Sequence, residues 1–210
     1  MSGPVVAPDR RLWFDGGVNI SIRRISGPEF SIAAPRLVDI YIAAMGYSPS
    51  VRNQRVRAWR EDTFLPGFTA ILAATHNDVI GLAYGFLGTR ETWWDRQLRK
   101  GLRASGHDDE VIREIAGDYF EIAEIHVRPG LQGAGVGRRL LTDLLWNVPA
   151  RTALLSTPEV PDENNNAFGL YRSLGFHDVL RNFHFDGDSR PFAVLGAPLP
   201  LAQPTSRRDR

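Results

Sequence analysis

Three local textures follow one another between residues 119 and 145, and their order narrows the fold more than any other feature. The run YFEIAEIHV, 119–127, is apolar and β-favouring, and Pro129 and Gly130 close it. Gly133, Gly135 and Gly137 then alternate with other residues. From Val136 onward apolar residues return at Leu140, Leu141, Leu144 and Leu145. That last spacing has the 3.6-residue period of a helix laying one stripe against a sheet. A strand, a glycine turn and a helix in this order place main-chain N–H groups at a helix N-terminus, where unpaired donors and the helix dipole favour an anion.

With 210 residues and 43% hydrophobic content, the chain can bury one substantial core and is expected to form one domain. Residues 1–17 and 198–210 are rich in Pro, Gly and charge and read as loose ends. The domain proper is placed at 18–197. Within it, 18–25 alternates like a half-buried strand. Helical spacing then runs from Ala34 through Leu37, Ile40, Tyr41 and Ala44 until Gly46 stops it. An Arg-rich helix is predicted at 51–62, and a hairpin from 68–75 and 79–87 around the turn residues HND. Residues 90–117 turn polar and read as a helical insertion of two short helices, with Gly101 and Gly106 as breaks. A short strand TALLS follows. A helix then carries Ala167, Leu170, Tyr171 and Leu174 on one face, and two strands near 176–185 and 191–195 close a mixed α/β sheet.

Charge excludes some partners. Lys plus Arg number 25 against 24 Asp plus Glu, which gives no electrostatic footprint for nucleic acid and no attraction to an anionic membrane. The chain has no cysteine, so disulfides, thiolate zinc sites and cysteine nucleophiles are excluded together. His76, His107, His177 and His184 lack ligand spacing, and no metal is assigned. No apolar run approaches a membrane span and the first residues lack a signal-peptide pattern, so the cytoplasm is the expected location.

The glycines fit neither of two common phosphate loops. A Walker loop needs a lysine after its glycines, and a dinucleotide fingerprint needs G-x-G-x-x-G, where this chain has Arg138 at the final position. They do fit Q-x-x-G-x-G, from Gln132 through Gly133, Ala134, Gly135 and Val136 to Gly137. That pattern resembles the pyrophosphate loop of the GNAT N-acetyltransferase superfamily. Two further runs strengthen the resemblance. IHVRP stands upstream, like the end of that superfamily's fourth strand. NNNAFGLYRSLGF matches its N-x-x-A-x-x-L-Y-x-x-x-G-F signature through Asn164, Ala167, Leu170, Tyr171, Gly175 and Phe176.

The resemblance implies a mixed, mostly antiparallel central sheet with splayed fourth and fifth strands and flanking helices. It also implies acetyl-CoA as cosubstrate and transfer of the acetyl group to a primary amine of a small molecule or peptide, by direct attack. In this pattern the N–H groups from Gly133 to Gly137 cradle the diphosphate, Gln132 shapes the loop and Arg138 reaches an outer phosphate. The N–H of Ile125 points at the thioester oxygen, with His126 beside it, and Val127 pairs with the pantetheine amide. Asn164 and Asn166 steady the carrier's other side, although Asn166 is equally suited to cap a helix. Tyr171 takes the general acid's place. Glu121 and Glu124 both remain open as general base, on opposite faces of the strand, with His126 on the face of Glu124. Trp93 and Trp94, in the insertion, suit either an acceptor pocket or an anchor for the extra helices. A non-catalytic acyl-CoA sensor is the rival reading, and a homodimer stays open on base rate alone.

Overall fold

The computed structural model describes residues 10–13 and 19–202, the first four by backbone only. Most of the two expected loose ends lies outside the described residues. Inside the first of them, Arg10–Trp13 forms a strand, β1. The chain divides into two compact units, Met1–Leu87 with Ile122–Leu144, and Gly88–Glu121 with Leu145–Arg210.

In the first unit the strands run in the order β1, β2 (Asn19–Ile25), β3 (Thr69–Ala74), β4 (Val79–Leu87) and the later part of β5 (Tyr119–Val127). The β1–β2, β2–β3 and β3–β4 pairs are antiparallel. Helices α1 (Gly27–Met45) and α2 (Arg52–Asp62) cover one face. Phe30, Leu37, Val38, Tyr41 and Trp59 pack there on Leu72, Leu82, Tyr84 and Phe86. The third helix of this unit, α5 (Val136–Leu144), takes the other face. Its Leu140 Cδ1 lies 3.2 Å from where a Cβ on Gly81 would stand, and Gly81 alternates with Leu82 and Tyr84 along β4. The α5 stripe of Val136, Leu140, Leu141 and Leu144 is fully buried.

Helix α1 starts seven residues before its expected beginning at Ala34. The true start is a capping arrangement. Ser26 Oγ accepts the N–H of Glu29 at 3.3 Å, with Pro28 in the first turn. Pro35 therefore sits inside the helix and has no N–H for the carbonyl of Ser31. Arg60 Nε, from α2, donates to that carbonyl instead at 3.0 Å. The defect in one helix thus becomes a tie to the next.

In the second unit the order is the first part of β5, then β6 (Thr152–Pro158), β8 (Phe192–Pro198) and β7 (His177–Phe183). The β6–β8 and β7–β8 pairs are antiparallel. The single parallel ladder described joins β5 to β6 through Tyr119, Phe120 and Glu121, against Thr152, Ala153 and Leu154. Counted from β2, these are the fourth and fifth strands. Beyond Glu121 the ladder stops, and 122–127 forms the edge of the first unit's sheet.

The insertion is two helices as expected, α3 (Trp93–Ala104) and α4 (Asp109–Ala116), with α6 (Asn166–Ser173) later in the chain. Gly101 does not break α3. A Cβ there would come 2.7 Å from Leu180 Cδ1 and 2.7 Å from Phe183 Cε2, so the glycine lets α3 settle closely on β7. Gly106, at φ +85°, does end the helix region.

Candidate active site

Two ties fix the glycine turn, one to the start of β4 and one to the end of β5. Arg128 donates its main-chain N–H to Ile80 O at 2.8 Å, and its guanidinium reaches Asp78 Oδ2 at 2.5 Å and Val79 O at 3.1 Å. Gln132 Nε2 then donates back to Val127 O at 3.2 Å, folding the loop over the strand end. Gly133 and Gly135 have φ of +81° and +79°, and a Cβ on either would meet nothing within 4 Å. Glycine is required for its backbone conformation there, and the space before the loop is open. Gln132, Gly133, Ala134, Gly135 and Arg138 are exposed, Gly137 is half-buried and Val136 is buried. The first bond into α5 runs from Arg139 N–H to Gly135 O at 3.1 Å, so the N–H groups of Val136 and Gly137 stand ahead of it. Main-chain donors at a helix start with open space in front fit a diphosphate.

On β5, Ile125 is half-buried, while His126 and Val127 are buried. His126 Nε2 donates to Glu124 Oε2 at 2.6 Å, which puts both side chains on one face. Around them α1, α2 and β4 contribute a connected cluster. The His126 ring meets Tyr41 edge-on at 5.1 Å between centroids. Arg55 lies 5.0 Å over Tyr41 and 3.8 Å from Glu124 Oε1. Trp59 stands between Tyr41, at 5.7 Å, and Tyr84, at 5.3 Å. Tyr84 donates its hydroxyl to Asp62 Oδ2 at 2.8 Å.

The electrostatics of this cluster are unusual. Burial raises the Asp62 carboxyl to about 6, with the charge of Glu124 adding to the rise and the Tyr84 hydroxyl and Arg55 opposing it. Burial, and next the charge of Glu124, lifts the Tyr41 phenol to about 12. Tyr84 rises well above the usual phenol range, chiefly through burial and then through Glu124 and Asp62. Asp62, Tyr84, Arg55, Tyr41 and Trp59 were not singled out from sequence. Asp62 closes an Arg-rich helix, Tyr84 sits in an apolar strand run, and neither has a motif around it.

The other expected site residues lie in the second unit. Glu121 is 7% exposed and Tyr171 6%. Tyr171 packs its ring 5.8 Å from that of Phe176. Asn164 N–H bonds Pro161 O at 3.0 Å, at the end of a short 3-10 turn. Asn166 is the first residue of α6, and the cap is Asn165, whose Oδ1 accepts the N–H of Phe168 at 2.8 Å. Trp94 is held, with Nε1 donating to Ser156 Oγ at 3.2 Å and its ring 5.8 Å from Tyr119. Trp93 is half exposed and leans on Phe185 at 5.4 Å. Among the described residues, no group of three or more His, Asp or Glu side chains is placed to hold a metal ion. None of their helices is long and apolar enough to cross a membrane.

Comparison with known proteins extends the motif reading. The profile of the acetyltransferase (GNAT) family matches residues 34–176. A GCN5-like protein acetyltransferase of Mycobacterium tuberculosis is 35% identical over 184 residues, covering 77% of this chain and 89% of that protein. The ribosomal protein bS18-alanine N-acetyltransferase of Escherichia coli is 33% identical over 94 residues, 44% of this chain and 63% of that protein. Among solved structures, an acetyltransferase of Salmonella typhimurium with its cofactor acetyl-CoA superposes with a TM-score of 0.56 at 17% identity, covering 89% of this chain and 98% of that one. The ribosomal-protein-S18-alanine N-acetyltransferase of Escherichia coli gives 0.55, also at 17%, over 89% and 97%. At such identities the superpositions speak for the fold alone.

Proposed function

The chain belongs to the acetyltransferase (GNAT) family and is an acetyl-CoA-dependent acetyltransferase, and from that premise we propose that it acetylates a primary amine of a peptide or small molecule by direct attack. The observation that carries this reading is the turn at Gly133 and Gly135, left-handed, open in front, and followed at once by the N-terminus of α5. Two relatives support an amine on a protein as acceptor, since one is named a protein acetyltransferase and the other an alanine N-acetyltransferase of a ribosomal protein.

When bound, acetyl-CoA supplies an acetyl group activated as a thioester. The N–H groups from Gly133 to Gly137 hold its diphosphate, Gln132 keeps the loop in shape through Val127 O, and Arg138 serves an outer phosphate. The main-chain edge at Ile125, His126 and Val127, past the end of the parallel ladder, lines up the carrier arm as an added strand would, with the N–H of Ile125 set to polarise the carbonyl. An alkyl ammonium, with a pKa near ~10, must lose a proton before it can attack. We favour Glu124 as the acceptor of that proton, because its carboxylate is hydrogen-bonded to His126 at 2.6 Å and its side chain keeps 16% exposure. Glu121 is the alternative base. Tyr171, on its motif position, returns a proton to the departing thiolate, and Asn164 and Asn166 steady the carrier.

Free-thiol release from acetyl-CoA across a panel of peptide and small-molecule amines tests the proposal. Tyr171→Phe and Glu124→Gln are each expected to lower kcat by about 10²–10⁴, and Glu121→Gln to cost less than tenfold. Tight acetyl-CoA binding with no thiol release on any amine would overturn the proposal and leave a sensor.

A further inference from the structure

Among the described residues, the cation nearest two carboxylates on the α1–α2 face of the first unit is Arg55, which ion-pairs with Glu124 alone. Glu124 has Arg55 at 3.8 Å, beyond hydrogen-bond length, and the Arg55 side chain is 41% exposed. Asp62 is half-buried, and among the described residues no Arg or Lys lies within ion-pair distance of it. Its one hydrogen-bond donor is the hydroxyl of Tyr84, on Oδ2. Elsewhere half-buried carboxylates have charged partners. Asp78 has Arg36 and Arg128, Asp143 has Arg139, and Glu159 has Arg181. A second observation marks the same place. Trp59, wedged between Tyr41 and Tyr84, is 1% exposed, and its Nε1–H has no acceptor among the described residues. A half-buried carboxylate that a hydroxyl holds and no cation meets is completed by a ligand with a cationic group.

We infer that Asp62, held by Tyr84, is the seat on which the acceptor's ammonium group docks, with Glu124 as its second carboxylate. This rests on the reading above that the acceptor is an amine, and deepens it by naming the side that selects a charged one. A peptide or metabolite bearing –NH3+ has the matching chemistry, with the cation for Asp62 and Glu124. The pKa direction agrees, since a carboxylate raised by burial regains its charge when a cation arrives. Tyr84 acts through Asp62 and is a positioning residue. Arg55 makes the seat selective, because an acceptor already carrying an anionic group beside its amine gains from it.

The test compares wild type with Asp62→Asn, which keeps an oxygen for Tyr84 and removes the charge. Two amine probes are used, a peptide with a free N-terminal alanine and one with a blocked N-terminus and an internal lysine. The neutral control is the alanyl peptide with lactyl in place of alanyl, so that a hydroxyl replaces the ammonium, read as a competitive inhibitor. For whichever amine probe wild type turns over, KM is expected to rise about tenfold in the variant, with kcat within about threefold. The lactyl peptide's inhibition constant should move less than about twofold, and Tyr84→Phe should raise KM by about threefold. Equal weakening of charged and neutral peptides, an unchanged KM, or turnover of neither amine probe would overturn the seat. Calorimetry with acetyl-CoA separates the two claims. If wild type fails to bind it, the function proposed above fails, whereas normal binding and turnover with an unaltered Asp62→Asn variant removes the seat alone.

Discussion

Each unit of the molecule holds a tyrosine hydroxyl on an aspartate, and the two pairs are finished differently. In the second unit Tyr119 donates to Asp95 Oδ1 at 3.0 Å. Asp95 is 1% exposed and also takes Arg99 Nε at 2.7 Å, while another nitrogen of Arg99 bonds Ala116 O. Every charge is met, and the result locks α3 and α4 to the start of β5. In the first unit Tyr84 donates to Asp62 at 2.8 Å, and among the described residues no guanidinium hydrogen-bonds to that carboxylate. The same dyad therefore serves as an anchor where an arginine closes it. Where the arginine is missing, a charge waits for something outside the chain, and burial raises the carboxyl to about 6.

The largest effect should come from opening the closed pair. Arg99→Met leaves the buried Asp95 carboxylate without its cation and should cost about 3–5 kcal/mol in urea unfolding. An unfolding midpoint within error of wild type would show that the anchor is decorative.

Next is the opposite sign at the open pair. Because the folded pKa of Asp62 is raised, its contribution favours folding below the unfolded carboxyl's value near 4 and is lost as pH rises through about 6. Asparagine cannot ionise and keeps that contribution. Asp62→Asn should thus be more stable than wild type by about 1–3 kcal/mol above pH ~6, with the gap closing as pH falls toward 4. A gap that is constant with pH, or of the other sign, breaks the contrast between the pairs.

A smaller loss, about 1–2 kcal/mol, is expected for Gly101→Ala, where the new methyl meets Leu180 and Phe183 and outweighs the gain in helix propensity. Stabilisation by this change would mean that α3 sits less closely on β7. Tyr119→Phe should cost least, about 1 kcal/mol, since Arg99 still meets the charge of Asp95 at Oδ2 and only the donor to Oδ1 is lost. A loss as large as that of Arg99→Met would make the hydroxyl, and not the cation, the closing element.

The sequence made some of this legible and not the rest. Strand β5 was read at its full length because a nine-residue run carrying Tyr, Phe, two Ile and Val is closed by Pro129 and Gly130, and α5 because its stripe keeps one period. The glycine loop was legible because left-handed positions restrict the residue type. Local periodicity began α1 at Ala34 and missed the cap at Ser26; the structure keeps Pro35 inside the helix, with Arg60 taking the freed carbonyl. Gly101 misled for a related reason, since close packing of β7 and not chain reversal demands it. The cluster around Asp62 was invisible, because residues 41, 55, 59, 62, 84 and 124 meet only through the folding of four separate elements. No spacing along the chain records that an aspartate lacks an arginine.

Measuring Asp62→Asn and Asp95→Asn side by side, for thiol release from acetyl-CoA with a cationic peptide amine and for urea stability at pH 7.5, puts the contrast to its most direct test. The expected result is a crossed pattern: the first variant more stable but with KM raised about tenfold, the second several kcal/mol less stable with the kinetic constants of its folded fraction unchanged. Parallel behaviour, with both variants losing stability and neither changing KM, would contradict the assignment of Asp62 as the open, substrate-facing member of the two pairs.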